Sequence, residues 1–174
     1  MFDNYLDKAS VELMHSLGKE VHLLLKDLKL KIATSESLTS GALAASLTKY
    51  PGSSGYFLGG VVCYDTVLKV KLGGVNVSTI QQFGAVSQET ALEMVNGIVR
   101  LTNCDIGIST TGIAGPPNQE FSIDDIGTVH IGFHVSDRQM VKSFQFKGTR
   151  PQIIDATVHA ALSFLKSYVS QKLT

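Results

Sequence analysis

The sequence from residue 34 to residue 41 reads Thr34-Ser35-Glu36-Ser37-Leu38-Thr39-Ser40-Gly41. The apolar run 30–33 before it predicts a strand, and the segment 42–47 after it is rich in helix formers. These hydroxyl groups and the carboxyl group are therefore predicted to lie in a loop at a strand-to-helix turn. Because amides at a helix N-terminus favour anions, the loop is a candidate binding site. The alternative is that one of its Ser or Thr residues simply caps the helix.

Outward from this loop, helical and extended patterns alternate along the chain. Predicted helices cover 10–28, 42–47, 67–72, 78–82, 87–99 and 151–169, and predicted strands cover 30–33, 56–64, 105–110, 127–135 and 140–146. The turn Ser136-Asp137-Arg138 joins the last two strands and predicts an antiparallel hairpin. This order predicts an α/β fold, a three-layer α/β/α sandwich with a mixed, mostly parallel sheet.

The length of 174 residues fits one domain. We expect a single domain over 1–174, with an N-terminal helix within 1–29 and an α/β core over 30–169. No linker or internal repeat interrupts the sequence.

Composition excludes several classes of protein. Lys plus Arg equals Asp plus Glu at 15 each, and no basic run appears, which argues against nucleic-acid binding. No uninterrupted apolar stretch approaches 18 residues, and the N-terminus carries acidic residues where a signal peptide has a basic head. We therefore expect a cytoplasmic protein without a membrane segment.

The two cysteines, Cys63 and Cys104, lie in different segments without a neighbouring Cys or His at metal-ligand spacing. This predicts buried, reduced thiols and neither a disulfide framework nor a zinc site. His130 and His134 share one face of a predicted strand, but no third ligand accompanies them. The pattern Ser46-Leu47-Thr48-Lys49 resembles an S-x-x-K motif without the companion motifs that would support it.

A second polar loop, Ser109-Thr110-Thr111-Gly112-Ile113-Ala114-Gly115-Pro116-Pro117, follows the strand 105–110. Ligands of open α/β sheets bind at the carboxyl ends of strands, so the loops after 33 and after 110 would line one cleft if their strands are parallel neighbours. Glycines there would offer amide donors to a phosphate or an oxyanion. The alternative is an ordinary Gly-Pro turn.

The collinear set of motifs resembles the family of the C-terminal domain of the competence/damage-inducible protein CinA, which also occurs as a stand-alone nicotinamide-mononucleotide deamidase. The family shows T-A-E-S-C-T-G-G at 34–41, P-G-S-S-x-x-F-x-G-G-V-V-x-Y at 51–64, G-A-V-S-x-E at 84–89, T-G-I-A-G-P at 111–116 and G-T-V at 127–129. The first motif is matched at five of its eight positions and the others throughout. The resemblance extends over roughly 34–161.

This resemblance implies an amidohydrolase that converts nicotinamide mononucleotide to nicotinate mononucleotide and ammonia by serine attack, without a metal or cofactor. It implies three catalytic residues: Ser37 as nucleophile, Tyr64 as acid/base partner and Arg150 as a cation. It implies a pyridine-nucleotide site that contains Glu36, Thr39, Gly41, Lys69, Thr111, Gly112, Ala114 and Gly115. Because a phenol is a weak base at neutral pH, Lys69 or Arg150 would have to favour the phenolate of Tyr64. The family also implies a homodimer.

Several positions depart from the family pattern. Leu38 replaces a cysteine, Ser40 a glycine, Thr149 an aspartate and Ile154 an arginine, and the segment 117–125 is acidic. Inward-facing Glu120, Asp124 or Asp125 would repel a phosphate, and loss of the arginine would remove a charge-assisted contact. The alternative function is therefore a catalytically inactive relative that binds a nucleotide or serves in assembly.

Overall fold

The structure is a computed structural model and describes residues 8–171, with side chains described from 16 to 170. The helices are α1 (Lys8–Leu28), α2 (Ala42–Thr48), α3 (Thr66–Lys71), α4 (Val77–Phe83), α5 (Gln88–Thr102) and α6 (Arg150–Gln171). The strands are β1 (Ile32–Glu36), β2 (Phe57–Val62), β3 (Ile106–Gly112), β4 (Thr128–Val135) and β5 (Arg138–Gln145). A short 3-10 turn, Ser53–Gly55, precedes β2.

The strands form one mixed sheet in the order β2-β1-β3-β4-β5. β1 pairs in parallel with β2 and β3, whereas β4 runs antiparallel to both β3 and β5. Four of the five strands thus run in one direction, and β4 and β5 form the predicted hairpin. The parallel pairing of β1 with β3 brings the two polar loops to the same end of the sheet, which meets the condition for a shared cleft stated from the sequence.

Helices cover both faces of the sheet. On one face, α5 packs against β1, β3 and β4, and Gly107 of β3 lies beneath Val95 and Val99 of α5. On the other face, Ile106 and Ile108 belong to the main core cluster, which also includes residues of α2 and α6; α1 packs on α6. The predicted three-layer α/β/α architecture is confirmed.

The main difference from the sequence prediction lies at the first loop. Thr34, Ser35 and Glu36 belong to β1 and are fully buried, although the prediction placed them in the loop. The backbone N–H and C=O groups of β1 form hydrogen bonds with the neighbouring strands β2 and β3. The Thr34 hydroxyl also donates to the Glu36 carboxylate. Because these polar groups have partners, they can lie in a central strand without contact with water. The loop itself is confined to residues 37–41.

Cys63 and Cys104 are buried and unpaired, as predicted. The edge strand β2 and the adjacent α3 expose large apolar side chains, including Leu58, Val62 and Val67. Within the described residues, none of the helices combines the length and apolarity that crossing a membrane requires.

Candidate active site

A cleft of about 470 Å³ opens at the carboxyl ends of β1, β2 and β3. It is lined by Ser37, Leu38, Tyr64, Asp65, Thr66, Lys69, Ala85, Val86, Gly112, Ile113, Ala114, Gly115, Pro116, Asn118, Glu120, Phe121 and Arg150. The sheet topology therefore assembles residues from distant parts of the chain at one site. The three residues predicted as catalytic, Ser37, Tyr64 and Arg150, all lie in this cleft.

Ser37 is the first residue after β1, and its backbone amide donates to the carbonyl of Thr110 on β3. Its hydroxyl oxygen lies 2.8 Å from the amine nitrogen of Lys69. The family resemblance implied substrate binding for Lys69 and the acid/base role for Tyr64. The structure instead places Lys69 in direct contact with the candidate nucleophile, and among the described residues no hydrogen bond joins Tyr64 to Ser37.

Lys69 is only 3% exposed, and its amine also donates to the carbonyls of Cys63 at 3.1 Å and Tyr64 at 3.3 Å. Burial lowers the pKa of this amine, an effect that Asp65 opposes in part. As an ammonium, the group donates one N–H to each of the three oxygens; when neutral, it keeps two donors for the carbonyls and has one lone pair for the O–H of Ser37. This is the arrangement expected of a general base beside a serine nucleophile.

Glu36 does not line the cleft but lies directly behind Ser37, with 1% of its surface exposed. Its carboxylate accepts hydrogen bonds from the amides of Gly41 at 3.0 Å, Leu43 at 3.1 Å and Ala44 at 2.8 Å. These amides lie at the start of α2, where backbone N–H groups have no partners within the helix. Glu36 therefore caps α2 from inside the sheet.

Three further residues assigned to substrate binding also lie outside the cleft lining. Thr39 is buried, and its hydroxyl bonds Glu36 and Thr110, both at 2.7 Å. Gly41 precedes α2 with a φ of 96°, a left-handed conformation that suits glycine. The buried Thr111 donates its hydroxyl to the carbonyl of Ala85 at 2.8 Å. Their contacts within the protein shape the loops that form the cleft.

Arg150 connects the two walls of the cleft. Its guanidinium donates to the hydroxyl of Tyr64 at 2.6 Å and to the carbonyl of Gly115 at 2.6 Å. Among the described residues it forms no ion pair with a carboxylate. Arg150 is therefore a cation at the cleft whose charge an anionic ligand would neutralise.

The loop after β3 forms the opposite wall, where Gly112, Ala114 and Gly115 line the cleft as predicted. Gly115 has a φ of 82° and precedes a cis peptide bond to Pro116. In the part of the chain that the structure describes, the amides of Ala114 and Gly115 have no hydrogen-bond acceptor. Because both residues line the cleft, these amides are candidate donors to a ligand.

The structure explains several departures from the family pattern. Leu38 is buried in the main core cluster, and Ile154 packs against that cluster outside the cleft lining. Ser40 adopts a φ of 52°, which explains why a glycine fits this position in the family. Thr149 precedes α6, and its amide and hydroxyl both donate to Gln152, which holds the start of the helix together in place of an aspartate cap.

The acidic segment 117–125 only partly faces the cleft. Glu120 lines it, whereas Asp125 bonds the amide and hydroxyl of Ser122 and, like Asp124, lies outside the lining. The Ser122 bonds lower the pKa of Asp125. Of Glu120, Asp124 and Asp125, only Glu120 lines the cleft.

The direct contact of Lys69 with Ser37 is the feature that sequence reasoning missed. In α3, Val67 and Leu68 are exposed and Lys69 is buried, the reverse of the usual amphipathic arrangement. Before the structure, only the family resemblance singled out Lys69, as a residue of the nucleotide site. In the S-x-x-K pattern, the Ser46 hydroxyl donates to the Ala42 carbonyl within α2.

The predicted histidine pair, His130 and His134, lies on β4. Nδ1 of His130 lies 2.8 Å from the hydroxyl of Ser143. Burial lowers the pKa of His130, and the negative charge of Glu89 partly opposes this effect. No group of three potential His, Cys, Asp or Glu ligands occurs anywhere in the described residues.

Comparison with known proteins identifies the family. A putative competence-damage inducible protein of Clostridium tetani is 42% identical over 137 residues, which cover 79% of this chain and 33% of that protein. A protein of the same description from Clostridium perfringens is 39% identical over 164 residues, which cover 94% of this chain and 39% of that protein. The chain thus spans between a third and two fifths of these longer relatives.

Solved structures of proteins with a similar description share this fold. The crystal structure of the competence damage-inducible protein A (ComA) from Klebsiella pneumoniae superposes with a TM-score of 0.85 at 28% identity and covers 90% of this chain and 97% of that chain. The competence/damage inducible protein CihA from Agrobacterium tumefaciens superposes with a TM-score of 0.82 at 31% identity, covering 88% and 94%. The family model for the CinA C-terminal domain matches residues 14–169. The chain belongs to the CinA C-terminal domain family.

Proposed function

We propose that this protein is an amidohydrolase that deamidates nicotinamide mononucleotide to nicotinate mononucleotide and ammonia. The observation that carries the proposal is the 2.8 Å contact between Ser37 and Lys69 in the cleft. The pyridine nucleotide is taken from the family resemblance, whereas the amide chemistry is also supported by the arrangement of the residues.

In the first step, the neutral amine of Lys69 accepts the hydroxyl proton of Ser37 while the serine oxygen attacks the carboxamide carbon. The tetrahedral intermediate then collapses, and the ammonium of Lys69 returns its proton to the departing nitrogen, which leaves as ammonia. Water attacks the resulting ester with Lys69 again as base. The products are the carboxylic acid and free Ser37.

The negative charge of the tetrahedral oxygen needs hydrogen-bond donors. The amides of Ala114 and Gly115 line the cleft and have no acceptor among the described residues, so they are our candidates for this role. In comparable enzymes, loss of one such donor costs a factor of about 10²–10³ in kcat.

Arg150 provides the positive charge for the nucleotide, and Tyr64 helps to orient it through their hydrogen bond. Tyr64 is 54% exposed, so its hydroxyl can also contact a ligand. This assignment keeps both residues in the site and transfers the base role to Lys69.

The inactive nucleotide-binding or assembly protein is the second candidate function. One observation favours it: Glu120 lines the cleft, where its carboxylate opposes a bound phosphate. A homodimer, which the family resemblance implies, and a cytoplasmic location, which the sequence led us to expect, complete the proposal.

The test is the conversion of nicotinamide mononucleotide by the purified protein, with nicotinate mononucleotide identified as product. Ser37→Ala should abolish turnover, whereas Ser54→Ala, at an exposed serine outside the cleft, should leave it unchanged. A ligand-induced rise in melting temperature without product would favour the binding protein. The absence of both signals would refute the proposed substrate.

A further inference from the structure

Glu36 is buried beside the nucleophile without a cationic partner among the described residues. Both of its oxygens are fully used: Oε1 accepts from the Thr34 hydroxyl and the Ala44 amide, and Oε2 accepts from the Thr39 hydroxyl and from two further amides at the α2 start. A buried carboxylate is costly unless its hydrogen bonds are satisfied. Five hydrogen-bond donors to one buried carboxylate indicate that the surrounding loop is organised around Glu36.

The position of this cap is unusual because it is remote in the chain. A helix is ordinarily capped by the side chain of the residue at its N-cap position, but that residue here is Gly41, which has no side chain. The cap comes instead from Glu36, five residues earlier. The hydrogen bonds to α2 thus close a loop of chain that contains Ser37.

A second set of contacts ties this loop to the neighbouring strand. The amide of Ser37 donates to the Thr110 carbonyl at 2.9 Å, and the hydroxyl of Thr39 contacts both Glu36 and the hydroxyl of Thr110. The backbone on both sides of Ser37 is therefore fixed by Glu36 and by β3. Lys69 approaches from a separate helix, so the distance between the two reacting groups depends on how firmly this loop is held.

We propose that Glu36 is a positioning residue that holds Ser37 within reach of Lys69. This inference deepens the proposed function and rests on Ser37 acting as the nucleophile. Replacement of the carboxylate should displace the serine oxygen while leaving Lys69 and the lining of the cleft in place. Misplacement by about 1 Å can slow a reaction about a hundredfold.

The experiment compares Glu36→Gln with Glu93→Gln. Each carboxylate oxygen of Glu36 accepts a hydrogen bond from a backbone amide at the start of α2. In Glu36→Gln, the NH₂ group replaces one of these oxygens, so in either orientation it faces a backbone N–H and cannot accept its hydrogen bond. Glu93 is a matched control: it also caps a helix from a distance, bonding the amide of Asn76 at 2.7 Å before α4, but lies outside the cleft. Both variants lose a remote cap.

The first readout is the rate at which a fluorophosphonate labels Ser37, measured well below the melting temperature of each variant. In this reaction the serine oxygen bonds to phosphorus, fluoride leaves and Lys69 accepts the hydroxyl proton. We expect labelling of Glu36→Gln to be about ten- to a hundredfold slower than wild type, with Glu93→Gln unchanged. Equal labelling of the two variants would overturn the inference.

The second readout is turnover of nicotinamide mononucleotide, where Glu36→Gln should lower kcat and change KM less than about threefold. A rise in KM with unchanged kcat would overturn the positioning role. If the wild type is labelled but releases no ammonia, the proposed substrate fails while the labelling comparison still decides the role of Glu36.

If Glu36→Gln does not fold, Thr39→Val provides a second test, because it keeps the three hydrogen bonds from backbone amides to Glu36. Labelling of Thr39→Val should be about threefold slower or more, and no slowing would overturn the inference.

Discussion

The amine of Lys69 lies 2.8 Å from the hydroxyl of Ser37, although 32 residues separate the two in sequence. Ser37 follows a central strand, and Lys69 lies on α3 after the edge strand of the same sheet. Two carbonyls hold the amine, and burial lowers its pKa, which favours the neutral form that can accept a proton. Under the proposed function, this pair would let a serine in the cleft act as a nucleophile without a histidine.

The pH dependence of turnover should report Lys69. Because the base must be neutral, kcat should rise with pH through the pKa of Lys69, which lies below its ordinary value of 10.5. Asp65→Asn removes a negative charge that raises this pKa, so the rise should move to lower pH. Asn can still cap α3 in place of Asp65. An unchanged profile, or one moved to higher pH, would contradict this role.

Tyr64→Phe separates the two candidate bases. It removes the hydroxyl that accepts from Arg150, and we expect kcat/KM to fall about tenfold through weaker positioning of that cation. If Tyr64 were the base, the loss would instead reach about 10²–10⁴ in kcat and the pH profile would lose its rise. Steady-state kinetics across pH would distinguish these outcomes.

The buried Tyr56 should matter for stability rather than for turnover. Its hydroxyl donates to the Leu47 carbonyl at 2.5 Å and lies 3.0 Å from Nδ1 of His22. Tyr56→Phe leaves the carbonyl and the ring nitrogen without this partner, and should lower the free energy of unfolding by about 1–3 kcal/mol. The same substitution at the exposed Tyr64 is the control, with an expected change within about 0.5 kcal/mol. Urea denaturation measures both, and equal effects would contradict the assignment.

The expected homodimer can be tested at the exposed edge of the sheet. The strand β2 carries no charged residue, and Leu58 is 46% exposed. Edge strands of this kind tend to pair with other chains, so we expect the wild type to elute as a dimer and Leu58→Lys to shift it toward monomer. Light scattering after size-exclusion chromatography measures the mass. A monomeric wild type at micromolar concentration would refute the dimer.

The architecture was accessible from sequence because its signals are periodic. The alternation of helices and strands and the turn at Ser136 predicted the layers and the hairpin. The polar ends of two segments predicted a cleft shared by the loops of Ser37 and Gly115 if their strands were parallel neighbours. Both predictions depend on local pattern and on a general property of parallel sheets. They are confirmed by the strand order and the cleft lining.

The remaining features depend on tertiary contacts that no local pattern contains. Glu36 resembles a loop or ligand-binding residue in sequence, yet it is buried because the amides of α2 fold back onto it. Lys69 lies on the buried side of α3 because Ser37 and two carbonyls receive its amine. In each case the partners, rather than the residue type, determine the position.

The most direct test of the Ser37–Lys69 pair is ammonia release from nicotinamide mononucleotide by Lys69→Met beside Lys71→Met. Lys71 lies on the same helix but is exposed, so its replacement should leave the rate within about twofold. Loss of Lys69 should lower kcat by about 10²–10⁴ while the protein stays folded. Wild-type turnover that survives in folded Lys69→Met would contradict the account.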